Sequence, residues 1–349
     1  MATQQTILVT GGAGYIGSHG VLALQQAGFD VLIYDNLSYG HKELVQPLGV
    51  ELVVGHTGDR QKLDQLFATR DIAAVMHFAA FIAVGESVQK PDIYYQNNVV
   101  GTLTLLEAML AAGIKKFVFS STCAVYGMPK EIPMTESHPI DPFSPYAASK
   151  RMVEQILADF DQAYGFKSVI FRYFNASGAD PQGRLGEDHN PETHLIPLAL
   201  LTALKQRPQL SVFGTDYDTP DGTALRDYIH VCDLAIAHVL GLQYLLEGGE
   251  SNIFNLGNGN GFSVRQVIEV AKAVTGLDIP YQLCPRRPGD APILVGSSAK
   301  AREILGWNPH YPDLHTIIDH AWQWHQRRHG DYKKAIKFEE FENRRTKPV

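Results

Sequence analysis

Thr6-Ile7-Leu8-Val9-Thr10-Gly11-Gly12-Ala13-Gly14-Tyr15-Ile16-Gly17 opens the stretch that decides how this chain folds. A helical pattern follows to about Ala27, and then the run Val31-Leu32-Ile33-Tyr34-Asp35-Asn36. The first five residues are a short β-branched apolar run bounded by glycines, which predicts a buried strand. The glycines recur as G-x-x-G-x-x-G at Gly11, Gly14 and Gly17, and the second apolar run ends on an acid, Asp35, 24 residues after Gly11.

Strand, glycine turn, helix, strand and acid in this order form the βαβ signature of a Rossmann-type dinucleotide site. The turn has to bring backbone N–H groups against a diphosphate, where a side chain would block approach, and the helix N-terminus then favours the negative charge. A carboxylate at Asp35 is placed to accept hydrogen bonds from a ribose diol. It repels a 2′-phosphate, so NAD is favoured over NADP as the cofactor.

The alternation continues outward. Strands are expected at Leu52–Val54, Ala74–Phe78, Lys116–Ser120 and Ser168–Phe174. Helices are expected at about 60–69, at about 91–112 with a break at Gly101, and from Ser144-Pro145 to about Tyr164. Repeated β-α-β in one direction implies an α/β fold, a doubly wound parallel sheet. Ligands on such sheets lie beyond the carboxyl ends of the strands, where Asp35, Asp59, Phe78-Ala79-Ala80 and Ser120–Thr122 all fall. Beyond Asn175 the pattern changes. Residues 176–192 are rich in Gly, Pro, Asp and Asn, as in a binding loop. Further helices are expected at about 195–206, 233–246 and 263–275, with strands near 210–213, 226–231 and 253–256. We therefore expect a dinucleotide-binding domain over 1–175, completed by parts of 228–260, and a smaller C-terminal α/β substrate-binding lobe over 176–349. The tail after about Tyr332 is polar and is expected to be loosely held.

Bulk properties agree. The chain has 349 residues, 45% hydrophobic and 19% charged, long enough for two lobes at about 100–200 residues each. With 30 Lys plus Arg against 37 Asp plus Glu the net charge is −7, which argues against nucleic acid or anionic membranes as partners. The three cysteines, Cys123, Cys232 and Cys284, include no C-x-x-C, so neither a disulfide framework nor a zinc site is expected. His325 and His329 lie among Gln and Arg on a polar helix and read as surface residues, so no metal is expected. A first strand at Thr6 leaves no room for a signal peptide, and no apolar run approaches the ~18–20 residues of a membrane helix; a cytoplasmic protein is expected.

The chemistry centres on Tyr146-Ala147-Ala148-Ser149-Lys150. At i and i+4 the phenol and the ammonium share one helix face. An ammonium nearby favours phenolate, and a positively charged nicotinamide pushes the same way. The phenol is then expected to titrate low enough to take a proton from an alcohol as a hydride leaves the same carbon. Thr122, in the hydroxyl-rich strand end Ser120-Ser121-Thr122, is placed to hold the substrate oxygen.

With these residues the chain resembles the extended short-chain dehydrogenase/reductases, and within them the UDP-glucose 4-epimerases of galactose metabolism. The resemblance runs over almost the whole chain. Its narrowest runs are A-V-G-E-S-V at Ala83–Val88 and D-G-T-A-L-R-D-Y-I-H-V at Asp221–Val231. R-Y-F-N at Arg172–Asn175 and R-R-P-G-D at Arg286–Asp290 support them. The resemblance implies Tyr146 as the base, Thr122 as the substrate-oxygen partner and Lys150 as the ribose ligand that tunes Tyr146. It also implies a tightly held NAD contacted by Gly11, Gly14, Tyr15, Ile16, Gly17, Asp35, Asn36, Asp59, Phe78, Ala79, Ala80, Asn98, Ser120 and Tyr173. A UDP-sugar would be contacted by Asn175, Leu195, Arg226, Tyr228, Arg287 and Asp290. Arg is apt there because a diphosphate is matched by its fork of donors. The implied reaction interconverts UDP-glucose and UDP-galactose by oxidation at C4, rotation of the 4-keto sugar and return of the hydride. The implied assembly is a homodimer packing the helices near 91–112 and 145–164.

Three positions depart from the pattern. Ile82 stands where some members have Lys, His194 where some have Asn, and Leu294 where the residue at the sugar end varies. A bulky aromatic there would exclude an N-acetyl group and a small residue would admit it; Leu is intermediate. A 4,6-dehydratase would need acids directly after the Thr, and here stand Cys123-Ala124. A 4-epimerase acting on UDP-pentose or UDP-glucuronate stays open. A non-catalytic NAD sensor would be expected to have lost Tyr146 or Lys150, and both are present.

Overall fold

In the computed structural model, residues 5–287 and 289–329 are described. The expected loose tail after Tyr332 lies outside them. Strands β1 (Thr6–Thr10), β2 (Asp30–Asp35), β3 (Glu51–Val54), β4 (Ile72–His77), β5 (Lys116–Ser120) and β6 (Lys167–Tyr173) join one seven-stranded sheet with the strand Asn252–Leu256. Its order is Asn252–Leu256, β6, β5, β4, β1, β2, β3, and every pairing is parallel. The order reverses at β1, whose end Thr10 pairs with Tyr34 on one side and His77 on the other. The crevice beyond that switch point is where a doubly wound sheet holds its ligand.

The strand period of two explains both layers. Ile7 and Val9 of β1 face one side, where Val21, Leu24, Leu234 and Leu242 cover them. Leu8 faces the other, with Leu63, Leu105, Met109, Val153 and Leu157. Parallel strands buried on both faces read as continuous apolar runs, as β1 and β5 do. A third core, with Ile196, Leu200, Val212, Ile268 and Ile317, fills the smaller C-terminal lobe. Its short strands pair Asn175–Ser177 with Tyr228–His230, and Leu225–Arg226 with both Phe262–Ser263 and Ile293–Leu294.

Helix signals in the sequence act as read. Ser144 caps the helix Pro145–Tyr164 by accepting from the Ala147 N–H at 3.2 Å, and Ser263 forms a capping box with Gln266 at the helix Val264–Thr275. Three expectations need correction. Gly101 does not break its helix: a π-helical turn, Tyr95–Val100, widens the coil and Gly101–Ala111 continues it. The run 226–231 is not one strand, because Asp227 separates two short ones and the next helix begins at Val231. His325 is buried, 2% exposed. It shares the inward face of the helix Leu314–His329 with Ile317, Ile318 and Trp322, whatever its sequence neighbours suggest.

Candidate active site

The glycine turn follows β1 directly. Gly11 has φ +74°, and a Cβ on it would lie 2.5 Å from the Ala79 nitrogen. A Cβ on Gly17 would lie 2.1 Å from the Gly11 carbonyl oxygen, so the helix Tyr15–Gln26 seats directly on the turn. Gly14 caps that helix without a side chain, which leaves backbone N–H groups for an anion. Asp35 accepts from the N–H groups of Ala13 at 2.9 Å and Leu37 at 2.8 Å. Burial pushes its carboxyl up and these two bonds oppose it. Each oxygen keeps a further lone pair for a ribose hydroxyl. Gly11, Gly14, Asp35, Asn36, Phe78, Ala79 and Ala80 line one open cleft. An unblocked turn, free helix N–H groups and a carboxylate at one cleft fit a dinucleotide.

Other expected cofactor residues are placed differently. The Tyr15 hydroxyl donates to the Gly178 carbonyl at 2.7 Å and ties the turn to the second lobe; Ile16 packs against the sheet core. Asp59 caps the helix Arg60–Thr69 through the Lys62 N–H. Asn98 is a clamp. Its amide accepts from the Phe81 N–H and donates to the Phe81 carbonyl and to the Ser149 hydroxyl, at 2.9, 3.0 and 3.1 Å. Its neighbour Asn97 lines the cleft with Tyr39 and Phe81. The sequence reading passed over these three, although Asn97 stood beside the residue chosen and Phe81 directly after the run His77–Ala80.

The catalytic candidates sit at the end of β5 and on the adjoining helix. Lys150 is 3% exposed on the face shared with Val153 and Leu157. An ammonium among these neighbours has to be anchored, and its Nζ donates to the Ser120 carbonyl at 2.9 Å and lies 5.0 Å from the Phe119 ring centroid. Burial pushes Lys150 down to about 7, with Glu154 opposing. The Ser120 hydroxyl makes a short contact with the Tyr173 hydroxyl, and burial raises the Tyr173 phenol. Thr122 is 7% exposed and its hydroxyl caps a single helical turn through the Ala124 N–H. Burial raises Tyr146 to about 12, and a hydrogen bond with Thr122 opposes the rise. The expected lowering combined the Lys150 ammonium with a bound nicotinamide; in the protein alone burial dominates, and the opposing pull comes from the Thr122 hydrogen bond.

On the substrate side, Arg226, Arg287 and Asp290 meet. Asp290 accepts from Arg226 at 3.0 Å and from Arg287 at 3.1 Å, leaving the group one net positive charge. Arg226 also donates to the carbonyls of Leu225 and Ala291, whereas Arg287 is 60% exposed and rests over the Phe213 ring. Cys123 follows Thr122 in the catalytic turn. Burial raises its thiol to about 12, and Arg226 pulls it back. Asn175 donates to the Asp227 carbonyl at 2.9 Å, Tyr228 is buried with its phenol raised by that burial, and Leu195 begins the helix Leu195–Ala203. Leu294 pairs in register with Arg226. Ile82 is 45% exposed beside the cleft residue Phe81.

The model of the family described as NAD dependent epimerase/dehydratase matches residues 7–257. The chain belongs to that family. The match ends just past Leu256, the last residue of the edge strand that completes the NAD dependent epimerase/dehydratase sheet. A UDP-glucose 4-epimerase of Halalkalibacterium halodurans is 53% identical over 331 residues, 95% of this chain and 98% of the relative. A crystal structure of a UDP-glucose 4-epimerase superposes with a TM-score of 0.91 at 50% identity, covering 93% of this chain and 98% of the other. A UDP-glucose 4-epimerase from Brucella ovis in complex with NAD gives a TM-score of 0.89 at 46% identity, covering 91% and 97%.

Proposed function

We propose that this protein is an isomerase that interconverts UDP-glucose and UDP-galactose. The observation that carries the reading is the end-to-end likeness to UDP-glucose 4-epimerases at about half identity. The chemistry beside Thr122 supports epimerisation over the family's other named reaction. Cys123, with its thiol pushed up to about 12, and Ala124 stand where a dehydratase needs acids.

NAD, when bound, supplies a hydride acceptor and donor. Gly11, Gly14, Gly17 and Asp35 would hold it, with Asn36, Asp59, Asn98 and the Phe78–Ala80 turn around them. Lys150 holds its ribose. Tyr146 would take the proton of the 4-hydroxyl as C4 is oxidised and give it back to the same oxygen when C4 is reduced on its other face, and Thr122 would hydrogen-bond that oxygen. Arg226 and Arg287 counter the diphosphate of the UDP-sugar, and Asp290 fixes their forks. Epimerisation at C4 leaves net redox at zero, so a bound NAD would not have to exchange between turnovers. The lobes divide this labour, with NAD on 1–175 plus the strand Asn252–Leu256 and the UDP-sugar on the remainder.

The test is a coupled assay on UDP-galactose, UDP-N-acetylgalactosamine and UDP-arabinose side by side. UDP-galactose is expected to turn over fastest, with purified protein carrying NAD(H). No conversion of UDP-galactose, or a faster rate on another sugar, rejects the reading. We place the enzyme in the cytoplasm as a homodimer. Its three half-buried cysteines are unpaired, which suits a reducing compartment. The helices of 91–111 and 145–164 pack side by side and leave Val100 and Met152 exposed, a surface suited to a second copy. Light scattering is expected to give twice the chain mass.

A further inference from the structure

The loop before the helix Leu195–Ala203 carries two Glu-x-His pairs, Glu187-x-His189 and Glu192-x-His194. Their side chains turn to one point, and one ligand atom from each lies within 4.8 Å of the others. Glu187 is 3% exposed. Its Oε1 faces both imidazoles, with His189 Nδ1 at 3.0 Å and His194 Nδ1 in a shorter contact. Glu192 enters from another side, its Oε2 3.8 Å from His189 Nδ1. The N–H groups of Thr193 and His194 donate to Glu192 Oε1 at 2.6 and 2.8 Å. They fix the rotation of that carboxylate and leave Oε2 directed inward.

A second layer of bonds holds the loop backbone. The Trp324 indole donates to the Glu187 carbonyl at 3.0 Å, and the His41 ring reaches the Asp188 carbonyl at 2.8 Å. The Arg328 guanidinium grips the Asp188 carboxylate at 2.8 Å. The Tyr15 ring meets His189 edge-on with centroids 6.2 Å apart. These bonds hold the loop backbone from which the four side chains project.

We propose that Glu187, His189, Glu192 and His194 form a four-coordinate site for one divalent first-row metal ion, zinc by preference. Glu187 and Glu192 converge on the same two imidazoles, and one divalent cation among the four would serve both carboxylates at once. Two imidazoles and two carboxylates make an N2O2 set, which suits zinc, whereas calcium and magnesium take oxygen ligands. Tetrahedral bonds of about 2.0 Å put ligand atoms roughly 3.3 Å apart, so side-chain rotations close the set. Four protein ligands leave no open position, which marks a structural ion and not a hydrolytic one. It fastens the loop between the Tyr15 turn and the helix Leu314–His329. The lack of paired cysteines did not bear on such a site, and the departure at His194 becomes one of its ligands.

The experiment uses tag-free full-length protein purified without chelator. Mass spectrometry of metals is expected to find one zinc per chain. Metal-stripped protein titrated with Co2+ is expected to give the visible bands of tetrahedral cobalt at one equivalent, and Zn2+ is expected to raise its melting temperature. His189→Ala is expected to weaken Co2+ binding at least 100-fold, while His315→Ala, on an exposed position, leaves it unchanged. If wild-type stripped protein gives no tetrahedral bands and no Zn2+-dependent shift, the four groups are a metal-free hydrogen-bonded network, and the proposal is overturned. Equal Co2+ affinity in a folded His189→Ala variant overturns it as well.

Discussion

Lys150 donates from Nζ to the Ser120 carbonyl oxygen at 2.9 Å, so the lysine of the helix Pro145–Tyr164 is moored to the end of β5 by a bond made wholly within the protein. Burial holds this ammonium near 7 against its ordinary 10.5. Between those values the unfolded chain binds more protons than the folded one, so the stability contributed here rises with pH across that window. Lys150→Met removes the buried charge and one hydrogen bond worth about 1 kcal/mol. Urea melts of cofactor-stripped protein are expected to favour Lys150→Met by a few kcal/mol at about pH 6, an advantage that shrinks toward about pH 10. A difference independent of pH would show that Lys150 is not the group titrating.

Tyr146→Phe keeps the ring and removes the proton carrier. We expect kcat on UDP-galactose to fall by about 10²–10⁴, with circular dichroism and bound NAD unchanged. Because burial raises the phenol to about 12 in the protein alone, the phenolate is expected to appear only with the oxidised cofactor's positive charge. Ultraviolet titration should therefore detect Tyr146 ionising at lower pH in NAD-loaded than in stripped wild type, with Tyr146→Phe as the blank. A variant retaining kcat within tenfold removes Tyr146 from the reaction.

Gly11 and Gly113 share a left-handed backbone, φ +74° and +76°, but a Cβ meets Ala79 backbone at the first and open space at the second. Gly11→Ala is expected to cost more stability than Gly113→Ala, by about 1–3 kcal/mol, and it alone should lower the NAD content of purified protein. Equal melting temperatures and equal NAD content would show that the turn is not built for close approach.

Arg226 is held by Asp290 and two carbonyls, whereas Arg287 is 60% exposed. Preorganised donors lose less freedom on binding. Arg226→Lys is therefore expected to raise KM for the UDP-sugar about tenfold, a loss of about 1.4 kcal/mol, and Arg287→Lys by less. Steady-state kinetics decide it: the reverse order, or a change confined to kcat, places the diphosphate elsewhere.

Much of the sheet was legible because most strands are buried apolar runs, with Gly11 and Asp35 marking the ends of the first two, and the Tyr146–Lys150 spacing needs only helix geometry. Pairing was less so. Nothing local to Asn252–Leu256 says that it completes the sheet beside β6, and the meeting of Arg226 with Asp290, 64 residues apart, depends on the pairing of Leu225–Arg226 with Ile293–Leu294. Balances between opposing terms were least legible. Tyr146 lies between desolvation and the Thr122 hydrogen bond, and His325 is buried although its sequence neighbours are polar.

That outer strand also bears on how the protein is made. As the chain leaves the ribosome, β6 emerges with one edge unpaired, and its partner follows only after most of the arginine-bearing segment. An open parallel edge is a site for mispairing. The nascent dinucleotide half therefore remains exposed to aggregation until Leu256 clears the exit tunnel, and a fragment ending at Asn175 inherits that exposure permanently.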